Sequence, residues 1–298
     1  MPPVKITTPS LLLQNYPIVL RSFASLVVLL TLVSFLSGCT PQKTDEKAAE
    51  FCYPYDLIVQ VGENQMQVTW KVNCNSLMSG YYVYISEESL VKKYPGPELP
   101  ASVKPFNRVP FPGDTDPSDN IQHFTAEGLD NGVKYYVSVR VINPDRTLSK
   151  PSNEVIAVCG PRGEMELSVR FKSERDGFSF EKNSYVRADA IDNDLYFYSK
   201  DEVDFLASPN RLGGLLRATT LSVLPYRGDL EEIKRNLVDI KEIPGSVRVS
   251  VSTGDWVHLV TQDNKHALVK VLDVTGSNED RRIKLFYAFC PLANELFF

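Results

Sequence analysis

Five cysteines and three histidines are the side chains of this 298-residue chain with the most chemistry to offer. Cys39 stands apart, directly after an apolar stretch at 22–36 and the small pair Ser37-Gly38. The other four are Cys52, Cys74, Cys159 and Cys290, an even number that allows three disulfide pairings in an exported chain. The histidines are His123, His258 and His266. Two of them fall on one expected hairpin. Across a two-residue Asp263-Asn264 turn, His258 pairs with Val269 and Thr261 with His266. Strand alternation then sends His258 and His266 to opposite faces, where they cannot share a metal or haem iron. The chain has no Gly-x-Ser-x-Gly elbow, no phosphate loop and no His-Glu-x-x-His. Asp192-Asn193-Asp194 matches a fragment of a calcium loop, but Asx-rich turns look the same. The residues therefore predict no catalytic constellation, no metal and no cofactor.

The N-terminus reads as an address. Residues 1–38 carry Lys5 and Arg21 and no acid, and the apolar stretch is shorter than the roughly 20 residues of a spanning helix. Leu36-Ser37-Gly38-Cys39 resembles the lipobox of bacterial lipoproteins. That resemblance implies a signal peptide over 1–38, a diacylglyceryl group on the Cys39 thiol and cleavage beside the small residues. Each buried methylene adds about 0.8 kcal/mol of membrane affinity, so several acyl chains hold where one does not. Thr40 stands where an Asp retains such proteins in the inner membrane, so the outer membrane is expected. Residues 39–50 form a polar tether of at most ~3.3–3.6 Å per residue.

Residues 51–160 show strand signals separated by turns. Gln65–Val72 alternates, placing Met66, Val68, Trp70 and Val72 on one face. Runs at 57–61, 80–86, 123–126, 134–142 and 153–158 complete a β-sandwich pattern. Here the chain resembles the fibronectin type III module. The resemblance rests on Trp70 in the second strand, on Leu129-Asp-Asn-Gly-Val-Lys-Tyr135 and on Ser149-Lys-Pro-Ser-Asn-Glu154. It implies that Tyr135 makes the tyrosine corner, bonding back to upstream backbone. The long Pro- and Gly-bearing insert near 90–120 is expected to be a padded connection, with a binding loop as the alternative. Tyr81, Tyr82, Tyr84, Tyr135 and Tyr136 offer either core packing or a stacking surface.

Residues 161–298 are again mostly strand-like, with Pro161-Arg-Gly163 as an expected hinge. Gly228–Ile240 differs. Leu230, Ile233, Leu237 and Ile240 fall at helix spacing behind Asp229, Glu231 and Glu232. The end reads as a three-strand meander over 256–261, 266–274 and 281–289. Gly254–Leu296 resembles the terminal β-region of lipoproteins that carry such a domain after a type III module. The expected fold is thus mainly β: a fibronectin type III sandwich, then a second β-rich domain with one short helix.

Within the sandwich, the first strand starts and the second ends at one pole, which makes Cys52 and Cys74 partners. Cys159 lies at the opposite pole, leaving Cys159–Cys290 as the second expected bridge. The formal charge is −5, and −7 once 1–38 is removed with its two cations. That balance excludes nucleic acid as the main partner, since phosphate backbones need clustered Lys and Arg. The reading is a lipid-anchored envelope protein acting as a non-catalytic binding or scaffold module. Its expected partners are a membrane, through the anchor, and a protein or glycan of the envelope. An envelope enzyme or glycan-processing accessory, and a small-ligand carrier, are the alternatives.

Overall fold

The computed structural model describes residues 52–74, 77–114, 119–240 and 242–298. Cys39 and the expected lipobox and tether lie outside the described residues. Glu50–Phe298 forms one compact unit.

Six strands build the first part: β1 Tyr53–Val61, β2 Gln65–Asn73, β3 Gly80–Ser86, β4 Ile121–Glu127, β5 Lys134–Ile142 and β6 Val155–Val158. They lie in two three-stranded antiparallel sheets, ordered β1-β2-β4 and β3-β5-β6. The two sheets make a β-sandwich. The alternation of β2 sends Met66, Val68 and Trp70 fully inward. Trp70 meets the edge of Tyr81 from the other sheet, ring centroids 5.1 Å apart. The β1–β2 register pairs Tyr53 with Asn73, which brings Cys52 opposite Cys74. The two form a disulfide across Cα atoms 4.6 Å apart. Closing a loop of this size contributes about 3 kcal/mol on the entropy account.

The insert after β3 is a packed connection. Its Asn107 acts as a backbone surrogate on the edge of β3. Oδ1 accepts Val83 N–H at 2.7 Å and Nδ2 donates to Tyr81 O at 2.9 Å. Phe111 bridges to Tyr81 beyond it, so the exposed edge is covered. Arg140 of β5 is buried beneath the insert. Its guanidinium donates to Gly96 O, Tyr94 O and Ser149 O, satisfying the charge with three carbonyls. Burial pulls its pKa below the usual arginine range.

Ten strands build the second part. β7 Arg162–Ser168, β12 Thr220–Val223, β14 Trp256–Val260, β15 His266–Thr275 and β16 Arg282–Cys290 form one sheet, ordered β12-β14-β15-β16-β7. β8 Gly177–Ser179, β9 Ser184–Val186, β10 Leu195–Lys200, β11 Val203–Ala207 and β13 Arg248–Ser250 form the other, ordered β13-β11-β10-β8-β9. Leu195, Phe197, Leu206, Leu221, Val269 and Leu285 belong to the core between them. The far side of the β15 sheet packs on the helical segment and the C-terminal tail through Trp256, Leu268, Ile233, Ile240 and Phe298. The expected helix is broken in two, Leu230–Arg235 and Leu237–Ile240. Asp229 caps its start by accepting Glu232 N–H at 2.8 Å. Asn236 interrupts it by donating its amide to Glu232 O.

No hinge separates the two parts. Arg162 and Gly163 already sit in β7, paired with Ala288 and Tyr287. Pro161 O accepts Phe289 N–H at 2.9 Å. At Gly160 the backbones touch: a Cβ there would stand 2.2 Å from Phe289 O.

Replacing Arg140 by Met is expected to destabilise the protein by about 3 kcal/mol, because one buried and two part-buried carbonyls lose a charged donor. It should also open the 94–100 segment to proteolysis. Urea unfolding and limited digestion check this, and an unchanged midpoint would contradict it.

Candidate functional site

The cysteines fall into two kinds. Cys52 and Cys74 are bridged, while Cys159 and Cys290 are separate buried thiols, so the expected second bridge is absent. Strand register gives the reason. Continuing the β7–β16 pairing of Arg162 with Ala288 sets Cys290 opposite Gly160 and Cys159 opposite Pro291. The cysteines are one residue out of step, and successive side chains leave a strand on opposite faces. Cys159 enters the first sandwich core and donates to Gln65 O at 3.3 Å. Burial pushes its thiol up to about 11, against the pull of Arg162. Cys290 enters the cluster beneath the C-terminal tail, where burial also raises it.

Tyr135 Oη accepts Asp130 N–H at 3.1 Å, which ties the turn before β5. The other tyrosines are divided. Tyr81 and Tyr84 are buried, and Tyr82 and Tyr136 are half-buried. They make no continuous exposed stacking face. Asp192-Asn193-Asp194 is a structural turn. Asn193 Oδ1 accepts Phe178 N–H, and Asp194 accepts Phe180 N–H and an Arg217 N–H at 2.8 Å. Burial raises the Asp194 pKa despite Arg217. Among the described residues no group of three or more His, Cys, Asp or Glu is placed to hold a metal ion.

The histidines overturn the expected geometry. His258 and His266 are both buried, on one face, with His258 Nε2 2.9 Å from His266 Nδ1 and the rings parallel. The hairpin loop has three residues, 262–264. Asn264 takes a left-handed conformation, φ 57°, and donates to Thr261 O, while Thr261 N–H bonds to Lys265 O. One more loop residue shifts the register by one, so His258 opposes Leu268 and His266 opposes Val260. The pair is a tie across the hairpin: one ring nitrogen donates and the other accepts. It sits among Leu268 and Cys290 rather than in a cleft. His123 lies in the other sandwich, 3.2 Å from Thr69 Oγ1 on the exposed face of β2–β4.

An open concavity lies elsewhere. A recess of about 650 Å³ lies between the turn after β7, the β10–β11 hairpin and the 277–281 segment. Arg170 crosses it, its guanidinium 4.7 Å above the Tyr198 ring. Phe205 stacks beneath Tyr198 at 4.9 Å with rings 11° from parallel. Lys172 pairs with Glu279, and Arg281 holds Asp204 with two N–H donors at 2.6 Å. The lining is a cation-over-ring platform, suited to hold a flat or charged group. Leu195-Tyr-Phe-Tyr198 read only as a strand in the sequence. Arg170 is separated from it by 28 positions, and nothing local marks their meeting.

No family model matches the chain, and no curated protein does. Among solved structures, the chain is similar to the twitchin kinase region from C. elegans (Fn31-NL-kin-CRD-Ig26). The identity is 13% over 78% of this chain, with a TM-score of 0.25. The chain spans 38% of that structure's length, and a score this low carries no argument.

Mass mapping without reductant is expected to find Cys52–Cys74 and two thiols, Cys159 and Cys290, alkylated only on unfolding. A Cys159–Cys290 peptide would contradict the register. The folded Cys159 pKa lies above its ordinary 9.0, at about 11. The stability this burial provides is therefore whole below pH 9 and lost as pH rises toward 11. Cys159→Ala should flatten that alkaline slope in denaturant titrations.

Proposed function

We propose that this protein is a non-catalytic binding module of the bacterial cell envelope, held to a membrane by a lipid on Cys39. Leu36-Ser37-Gly38-Cys39 supports the anchor, and Thr40 supports the outer membrane. Trp70, the Tyr135 contact and Ser149–Glu154 support a fibronectin type III assignment for the first sandwich. Such folds serve as spacers and binding modules, and function resides in sites placed on them.

The observation that carries the proposal is the recess crossed by Arg170. Tyr198, backed by Phe205, lines it beneath Arg170, and two further lining cations, Lys172 and Arg281, are held by Glu279 and Asp204. Groups of this kind orient a ligand. His258 and His266 are instead spent on the hairpin tie. A short tether would set the first sandwich near the bilayer, with the second presenting the recess.

Crosslinking and affinity capture from intact envelopes test the proposal, using wild type, Cys39→Ala and Tyr198→Ala. Wild type is expected to incorporate labelled palmitate and to retain one stoichiometric partner or a glycan. Cys39→Ala should lose the label and leave the membrane fraction. Tyr198→Ala should lose the ligand with its anchor intact. Capture that is indifferent to Tyr198→Ala would overturn the recess as the binding surface.

A further inference from the structure

Beside the recess, three guanidiniums converge from separate parts of the chain. Arg211 ends the 3₁₀ turn Pro209–Arg211 and donates to Tyr198 Oη at 3.0 Å. Arg248 opens the edge strand β13 and donates to the same oxygen at 3.0 Å. Their nitrogens are each 3.0 Å from one atom, so they stand at most 6.0 Å apart. Arg170 lies over the Tyr198 ring and 6.0 Å from the Tyr196 ring. Neighbouring arginines are neutralised, Arg217 by Asp194 and Arg281 by Asp204. Among the described residues, Arg170, Arg211 and Arg248 form no ion pair.

Two phenols complete the group. Tyr196 is fully buried, and its hydroxyl has the Arg170 guanidinium near enough to interact with it, without a well-formed hydrogen bond. Burial raises the pKa of that hydroxyl, against the pull of Arg211 and Arg170. Tyr198 Oη accepts two N–H bonds, which fill its acceptor sites and leave its own proton to be donated. The cluster is thus rich in donors and carries three like charges at close range, an arrangement that repels itself until an anion enters. Two acids that form no ion pair among the described residues, Asp201 and Glu202, line the recess at the β10–β11 turn.

We propose that Arg170, Arg211 and Arg248, with the hydroxyls of Tyr196 and Tyr198, bind a phosphate-class oxyanion carried by the ligand of the recess. This rests on the binding-module reading and names the chemistry of its ligand. Guanidinium forks match the paired oxygens of such an anion. A phosphomonoester, at about −1.5 to −2, balances three cations better than a single carboxylate does.

The test is calorimetric titration of the full-length protein in detergent with inorganic phosphate, against chloride at matched ionic strength. A second arm uses micelles containing phosphatidate, which separates a lipid headgroup from a soluble phosphate. Saturable binding is expected, weakened about tenfold or more by Arg248→Gln. Arg248 is exposed on an edge strand, so the variant should fold, and Arg211→Gln is the second variant. Lys150→Gln, exposed on the first sandwich away from the recess, should leave the affinity unchanged. No saturation beyond chloride in either arm, or equal affinity in wild type and both arginine variants, overturns the site. If the anion fails while envelope capture still depends on Tyr198, the binding reading stands and its ligand chemistry is wrong. If phosphate binds and nothing is captured from envelopes, the anion site stands and the binding-partner reading falls.

Discussion

The passage from β6 to β7 is the constraint on which the rest of the structure depends. Three residues, Cys159-Gly160-Pro161, carry the chain from one sandwich to the other. Gly160 lies against the Phe289 carbonyl with no room for a side chain, and Pro161 O takes the Phe289 N–H. The last strand of the chain is thereby fixed to the point where the two sandwiches meet. Lys134 of the first sandwich pairs with Glu295 of the tail, and Asn183 of the second donates to Glu63 of the first. The exposed pairs contribute little alone. The close backbone contact sets the geometry.

That register propagates. Once Ala288 opposes Arg162, Cys290 must oppose Gly160, and the two late thiols are sent into different cores. Going the other way, β16 fixes β15, and β15 fixes β14 through the three-residue loop at 262–264. His258 and His266 then meet on one face as a buried tie. The opposite sheet carries the side chains of the proposed binding site. Its outer side holds Tyr196, Tyr198, Phe205 and Arg248, with Arg170 and Arg211 arriving from flanking turns.

Much of the fold was legible in the sequence, where alternation or helix spacing ran long enough to declare itself. The run Gln65–Val72 announced its inward face, and the Tyr135 turn announced its corner. Cys52 and Cys74 were legible because one hairpin sets both. What was hidden depended on register or on short pieces. One extra loop residue at Gln262 reversed the relation of the two histidines. β8, β9 and β13 are three residues each, too short for a period, and β11 is broken from β10 only by Asp201-Glu202. The arginine cluster joins positions 170, 211 and 248, whose proximity no local pattern encodes. The break at Asn236 comes from a side chain taking a carbonyl that the helix would otherwise use.

Both sandwiches are expected to behave as one body built around the Gly160 contact. Scanning calorimetry of the protein, with the van't Hoff enthalpy compared with the calorimetric one, tests this most directly. The account predicts a single cooperative transition in which the two enthalpies agree. Two resolved transitions, one for each sandwich, would contradict it.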